Sequence, residues 1–250
     1  MTIQIQTDVL NIATTPGLDR FTNIINTDNT NSGSQAHISI TSGGSSAGDP
    51  YACVSIDSTR SYCFGIDNSD SDRLKINTNN TTTTNPSGGT NIMYASTAGE
   101  FNWPLQPAFF AYLSSTATNK TGNGAVYSLG TDALTEVFDQ GSDFNTNGTF
   151  TAPVTGIYDL RSQVTITGTT VATTFVLSIV ISGTSARTFT NTFSRAALAA
   201  DQSCQISALA QMTATDTAIV TITVTGEAGD TDDIGGSATA ITYFTGKLAC

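Results

Sequence analysis

The chain has 250 residues, 38% of them hydrophobic and only 12% charged, with a formal net charge of −11 and a pI near 4.1. That apolar share is enough for a core in one large or two modest domains. The acidic surface repels phosphate backbones and argues against nucleic acid as a partner, and no apolar run reaches the ~18 residues of a membrane-spanning helix.

Thr, Ser, Asn and Gly are heavily used, whereas Lys, Glu and Gln are scarce. Threonine suits pleated surfaces and Asn/Gly suit turns, so the class is all-β. The opening MTIQIQTDVL lacks a basic n-region and a long apolar h-region. No signal peptide is expected, and the product is expected to be made in a cytosol. Residues 1–20 alternate briefly at Ile3, Ile5 and Val9 before Pro16-Gly17. They read as an attachment peptide that pairs with a partner or, equally, as a first strand or frayed terminus.

Residues 21–104 read as a β-rich neck. Short strands are expected at Ala36–Ile40, Tyr51–Asp57, Ser61–Asp67, Arg73–Asn77 and Asn91–Ala95, separated by polar turns such as SGGSSAGD and NTNNTTTTNPSGG. Each strand offers two or three apolar residues, too little area to offset backbone ordering in one copy. The expectation is therefore a shaft or neck packed on other copies. Cys53, Cys63, Cys204 and Cys250 include no CxxC pair and His37 is the only histidine, so no zinc site is expected. Cys53 and Cys63 lie on runs that can form a hairpin, which allows a cross-strand bridge; buried thiols are the default in a cytosolic product.

The stretches NTDNTNSGSQAHISITSGGSSAGDPY and FGIDNSDSDRLKIN, between Phe21 and Asn77, resemble a module of bacteriophage tail fibres and related virion proteins. There it precedes a distal tip or an intramolecular chaperone. The resemblance implies a structural virion role and brings no catalytic residues.

Phe101–Pro107 (FNWPLQP) marks the boundary, where two prolines suit a stiff joint and Trp103 reads as a packing plug. Residues 105–250 then carry longer strands. Those expected are Ala108–Leu113, Ala125–Ser128, Glu136–Phe138, Tyr158–Ile166, Phe175–Ile181, Ile206–Met212, Thr217–Val224 and Ile241–Leu248. Tyr158, Leu160, Ser162, Val164 and Ile166 alternate with Asp159, Arg161, Gln163 and Thr165, as a strand with one dry face requires. Phe175–Ile181 is apolar on both faces, with Val176 and Val180 opposite Phe175, Leu177, Ile179 and Ile181. A second subunit is expected to cover the additional face. Count and spacing suggest a two-sheet jelly roll.

Three motifs sharpen this. Pro107-Ala108-Phe109 opens, Phe150, Ala152, Pro153, Gly156 and Tyr158 form the centre, and Phe244, Thr245, Gly246 and Leu248 close. Together they resemble the globular head of the complement-one-q and tumour-necrosis-factor superfamily. The resemblance implies a ten-strand, TNF-like jelly roll that forms a homotrimer and binds ligands on its exposed surfaces. Phe150, Tyr158, Phe175, Val176, Leu177, Val180 and Phe244 are the expected core and trimer-interface residues. No collagen stalk precedes the head; the virion-type module takes its place.

Catalytic chemistry finds little to work with. A catalytic triad is not expected with His37 as the only histidine, and the glutamates are Glu100, Glu136 and Glu227. Scattered aspartates leave a glycan-cleaving pair open, although solvated turn residues are the simpler reading. Asp230, Asp232 and Asp233, or else Asp67, Asp70 and Asp72, could bind calcium with backbone help; no other cofactor is expected. The leading expectation is a virion protein whose N-terminal region joins other virion proteins and whose trimeric tip binds a host surface glycan or protein. No membrane insertion is expected. The alternatives are a particle-borne glycan depolymerase and a capsid decoration protein without a receptor.

Overall fold

The computed structural model describes residues 38–56, 58–80, 85–194 and 201–250, together with Thr27, Thr30, Ser32, Gly33 and Ala36. The N-terminal attachment peptide and His37 lie outside the described residues. Every regular element among the described residues is a strand.

The neck is a five-stranded antiparallel meander of β1 (Tyr51–Ile56), β2 (Arg60–Asp67), β3 (Arg73–Asn79), β4 (Thr90–Ala95) and β5 (Phe101–Asn102). The strand expected at Ala36–Ile40 does not form at Ile38–Ile40, where Ile38 and Ile40 are both exposed and gain no partner strand. Cys53 sits directly opposite Cys63 across β1 and β2, and the two are joined by a disulfide.

Polarity in the neck is inverted relative to an isolated sheet. On β2 the side chains of Tyr62, Phe64 and Ile66 are exposed, while Ser61, Cys63 and Asp67 are buried. Lys75 and Asn77 of β3 are buried on the same side as Cys63. Polar loops cover that side. Asn68 donates from Nδ2 to the carbonyls of Ala47 at 2.8 Å and Ser45 at 3.1 Å. Ser87 donates to Asp49 Oδ2 at 2.6 Å, and Asn77 Nδ2 reaches the carbonyls of Asn85 and Gly88. Lys75 Nζ lies 2.7 Å from both Asp67 Oδ2 and Asp70 Oδ2. Burial alone would raise the Asp67 carboxyl, but the Lys75 ammonium and the Ser69 hydroxyl and amide together hold it below the usual range.

The head begins with β6 (Ala108–Tyr112), β7 (Ala117–Thr121), β8 (Val126–Ser128), β9 (Thr135–Gln140), β10 (Phe144–Asn145) and β11 (Thr149–Thr151). The long strands follow: β12 (Gly156–Thr167), β13 (Thr174–Ser182), β14 (Arg187–Ser194), β15 (Gln202–Met212) and β16 (Thr217–Thr225). β17 (Asp232–Ile234) and β18 (Tyr243–Leu248) close the chain. One sheet has seven strands in the order β7-β17-β12-β18-β6-β9, with β15 on the other side of β12. The other has six, in the order β10-β11-β16-β13-β14, with β8 also on β16. The chain crosses between the sheets from β12 to β13, returns from β14 to β15, crosses again to β16 and returns to β17 and β18. This is a jelly-roll path. There are more strands than the ten expected, the surplus being two- and three-residue pieces such as β8, β10, β11 and β17.

The facing sides of the two sheets form one core. β12 alternates as its sequence indicates, with Tyr158, Leu160 and Val164 inward. Phe109 stacks on Phe144 and Phe150, with centroids 4.6 and 4.9 Å away, and meets Phe244 edge-on at 5.0 Å. Tyr158 edges onto Phe150 at 5.3 Å, and its hydroxyl donates to the Val154 carbonyl at 2.6 Å. Two motif glycines make room. A Cβ on Gly246 would stand 2.6 Å from Leu160 Cδ2 and 2.7 Å from Phe109 Cε1; one on Gly156 would stand 2.6 Å from Leu248 Cδ1.

Overpacking of that kind costs ~1–3 kcal/mol. Gly246→Ala is expected to lower the urea midpoint of the head at an unchanged slope, and Phe109→Ala to cost ~3–5 kcal/mol, both measured by equilibrium unfolding.

Candidate functional site: uncovered apolar faces and an acidic corner

Among the described residues, two apolar surfaces stand out. On the neck sheet, Val54 is 72% exposed, Phe64 52% and Tyr62 49%, with Ile66 and Leu74 beside them. The register sets Val54 opposite Tyr62 and Ile66 opposite Leu74, so they form one continuous face. On the head, the outer side of the seven-stranded sheet carries an aromatic row: Phe138, Phe110 and Tyr243, with centroids 6.4 and 5.4 Å apart. Phe101, Trp103 and Leu105 lie exposed at the joint between these surfaces. Trp103 is therefore not a plug; its ring is half-exposed, and its carbonyl accepts from Gln140 Nε2 at 2.5 Å.

Beside the aromatic row runs a groove of about 790 Å³, where β14 and β15 meet. Arg161, Asn191, Gln205, Ser207 and Tyr243 line it. Arg161 is held by Asp159, Nη2 to Oδ2 at 2.6 Å, and Gln205 donates to Gln163 Oε1 at 2.6 Å. This wall is polar and pre-formed by side chains on strands.

Of the expected core and interface residues, Phe150, Tyr158, Phe175, Leu177 and Phe244 are buried within the protomer. Val176 and Val180 are half-buried on the outer side of the six-stranded sheet. Val176 lies between Thr192 and Thr223, and Val180 between Thr188 and Ile219. Threonine methyls and hydroxyls surround the two valines, so this face is a mixed carpet rather than a bare apolar one. The sequence indicated a neck that packs on other copies but not which of its faces would be left exposed, and it did not single out the aromatic row.

The acidic residues separate by partner. Asp67 and Asp70 are both on Lys75, so an ammonium already occupies the place expected for calcium. Asp139 accepts from the backbone amides of Asp143 and Phe144 at 3.1 and 3.0 Å, so it caps a turn. Among the described residues, no group of three or more His, Cys, Asp or Glu side chains is placed to hold a metal ion by itself. Asp230, Asp232 and Asp233 lie close in space but face different ways. Asp230 Oδ1 accepts from Asn123 N at 3.1 Å, and Asp233 Oδ1 from Asn119 N at 2.8 Å. Asp232 is fully buried with neither oxygen hydrogen-bonded. Burial first, and then Glu227, Asp233 and Asp230, push its carboxyl up to about 6.

Glu227 is buried next to this corner and fully engaged. Its Oε1 accepts from the amides of Thr170, Val171 and Ala172 at 2.6–3.0 Å, and its Oε2 from the Thr170 hydroxyl at 2.7 Å. The Thr170 hydroxyl and these amides hold its carboxyl below the ordinary 4.5 despite burial. A depressed carboxyl contributes stability above its unfolded value and loses it as pH falls. Glu227→Ala strands three amide donors and is expected to lower Tm at pH 7 by roughly 5 °C or more. The loss should shrink below about pH 4, as followed by thermal melts across pH.

No protein-family profile matches the chain, and no curated protein matches it. Among solved structures the fold is similar to the globular domain of zebrafish complement 1qA, at 14% identity, covering 58% of this chain and 98% of that one with a TM-score of 0.40. It is similar to murine APRIL at 16% identity, covering 57% of this chain and 98% of that one with a TM-score of 0.41. It is likewise similar to Eiger TNF from S. frugiperda at 14% identity, covering 58% and 93% with a TM-score of 0.40.

Proposed function

We propose that this chain is a structural virion protein, a fibre or appendage component of a bacteriophage-type particle. Three copies join side by side, and the head is the tip that meets a host surface glycan or protein. The observation that carries the reading is the neck sheet. Its polar side is closed by loops, a disulfide and the Lys75 ion pairs, while Val54, Tyr62, Phe64, Ile66 and Leu74 face outward. An exposed apolar sheet face of this extent marks an association surface. A second copy suits it, because Phe101, Trp103 and Leu105 beyond the sheet and Phe138 on the head leave further apolar side chains exposed.

The fibre assignment is supported by the resemblance of residues 21–77 to phage tail-fibre modules. In such an assembly the polar groove at β14 and β15 lies along the seam between copies. Host contacts then fall on loops at the end of the head away from the neck, where many weak polar contacts are multiplied by three-fold avidity.

Sedimentation equilibrium of the full chain should give a three-chain mass that holds at nanomolar concentration. A double charge substitution, Tyr62→Asp with Phe64→Asp, should weaken assembly by at least ~100-fold, since two buried side chains and two unpaired charges are involved. A wild-type protein that sediments as a monomer would sink the proposal.

A further inference from the structure

We propose that Asp232 anchors a binding site for a divalent cation of calcium's size and hardness, at the end of the head away from the neck. The location follows from the register. Near Gly156, β12 lies by the C-terminus and the chain entry, for Ile157 N donates to the Cys250 carbonyl and Leu248 N to the Pro107 carbonyl, at 2.8 and 2.9 Å. At the opposite end of β12, Ile166 and Thr167 pair with Ile234 and Asp233 of β17. There the 122–125, 168–173 and 226–231 loops converge, and β17 runs beside β7, with Asp232 opposite Thr121.

β17 alternates as a strand should, so Asp232 and Ile234 point inward while Asp233 sits at the margin. Asp232 is thus an ionisable side chain with no exposed surface and two unpartnered oxygens. The charged groups around it are Glu227 and Asp230 from the 226–231 loop and Asp233 from its own strand, all acidic. Each of those three is tied elsewhere: Glu227 to the 170–172 amides, Asp233 to Asn119, and Asp230 to the backbone and side-chain amides of Asn123. The basic side chain on β7, Lys120, is engaged by Asp132 at 3.0 Å. No protein group on these elements neutralises Asp232.

An unpaired buried carboxylate beside three others needs a cation or a proton. Backbone oxygens of the 226–231 loop face the two neighbouring loops. The Gly229 carbonyl lies 2.5 Å from where a Cβ on Gly122 would stand. The Thr231 carbonyl lies 3.9 Å from the Cβ position of Gly168. Calcium accepts carboxylate, carbonyl and water oxygens in irregular arrangements, whereas magnesium demands near-octahedral geometry. The excess of negative charge favours a divalent over a monovalent ion. Such an ion would clamp the three loops to β17 and stiffen the outermost end of the head.

The test is thermal melting of the full-length protein in chelator at pH 7.5, with calcium or magnesium then added to 1 mM. Calcium should raise Tm by ~5 °C, as ligand binding to the folded state requires, and magnesium should do less. Asp232→Asn, which keeps the shape and removes the charge, should melt higher than wild type in chelator and lose the calcium response. Asp230→Asn should weaken that response without raising Tm in chelator as far. An undiminished calcium shift in Asp232→Asn overturns the site. So does a wild type that ignores calcium at pH 7.5 yet gains stability on acidification to pH 5.5, since the pocket then holds only a proton.

Discussion

A β-sheet with one apolar side needs a second layer, because a single twisted sheet cannot bury its own face. The head meets this requirement within one chain. Its two sheets face each other over a core in which Phe109, Phe144, Phe150 and Phe244 interlock, and Gly246 supplies the space that lets β18 approach Phe109. The neck does not meet it. Its five strands have one covered side, and that side is the polar one. Among the described residues nothing covers the neck's apolar face, and this asymmetry is the physical basis for the assembly proposed above.

The inversion also explains what could be read in advance. Period-two alternation found β12 and β16 because those strands have one wholly dry face and one mostly polar face. The same alternation located β1 to β4 but said nothing of which face the fold would cover. That depends on loops far along the chain, such as those holding Asp49 and Ser87, reaching over the sheet. β14 (RTFTNTFS) was overlooked because its inward residues are Phe189, Asn191 and Phe193, separated by threonines that favour loops and strands alike. Its identity comes from pairing with β13, where Phe189 meets Ile179 and Phe193 meets Phe175. Val176 and Val180 show the converse. They are half-buried within the single chain, Val176 between Thr192 and Thr223 and Val180 between Thr188 and Ile219, so sequence alone could not tell how much of their cover the neighbouring strands provide.

Acidic residues make the same point at finer grain. In a chain with so few charges, most buried acids serve to pin loops. Asp216 accepts from the amides of Thr184, Ser185 and Thr213 at 2.6, 3.0 and 2.8 Å, joining the β13–β14 turn to the β15–β16 turn. Burial opposes its charge, but those amides outweigh burial and keep its carboxyl depressed. Glu227 does the same for the 170–172 loop at the other end of the sandwich. In sequence GEAGDTDDIGG is one undifferentiated acidic run. In space it is a loop pin (Glu227), two amide acceptors at the surface (Asp230 and Asp233) and one inward residue that lacks any donor (Asp232). Only the pairing of β17 with β7 and β12, contributed by segments far upstream, divides it in that way.

Asp232 and the neck face share a logic despite lying in different parts of the chain. Each is a place where the chain leaves local chemistry incomplete. The neck lacks an apolar layer and the acidic corner lacks a positive charge. Neither deficit can be met by moving side chains, because both sit on strands whose register is set by many backbone bonds. The proposed assembly would supply the layer for the neck, and the proposed cation the charge for the corner.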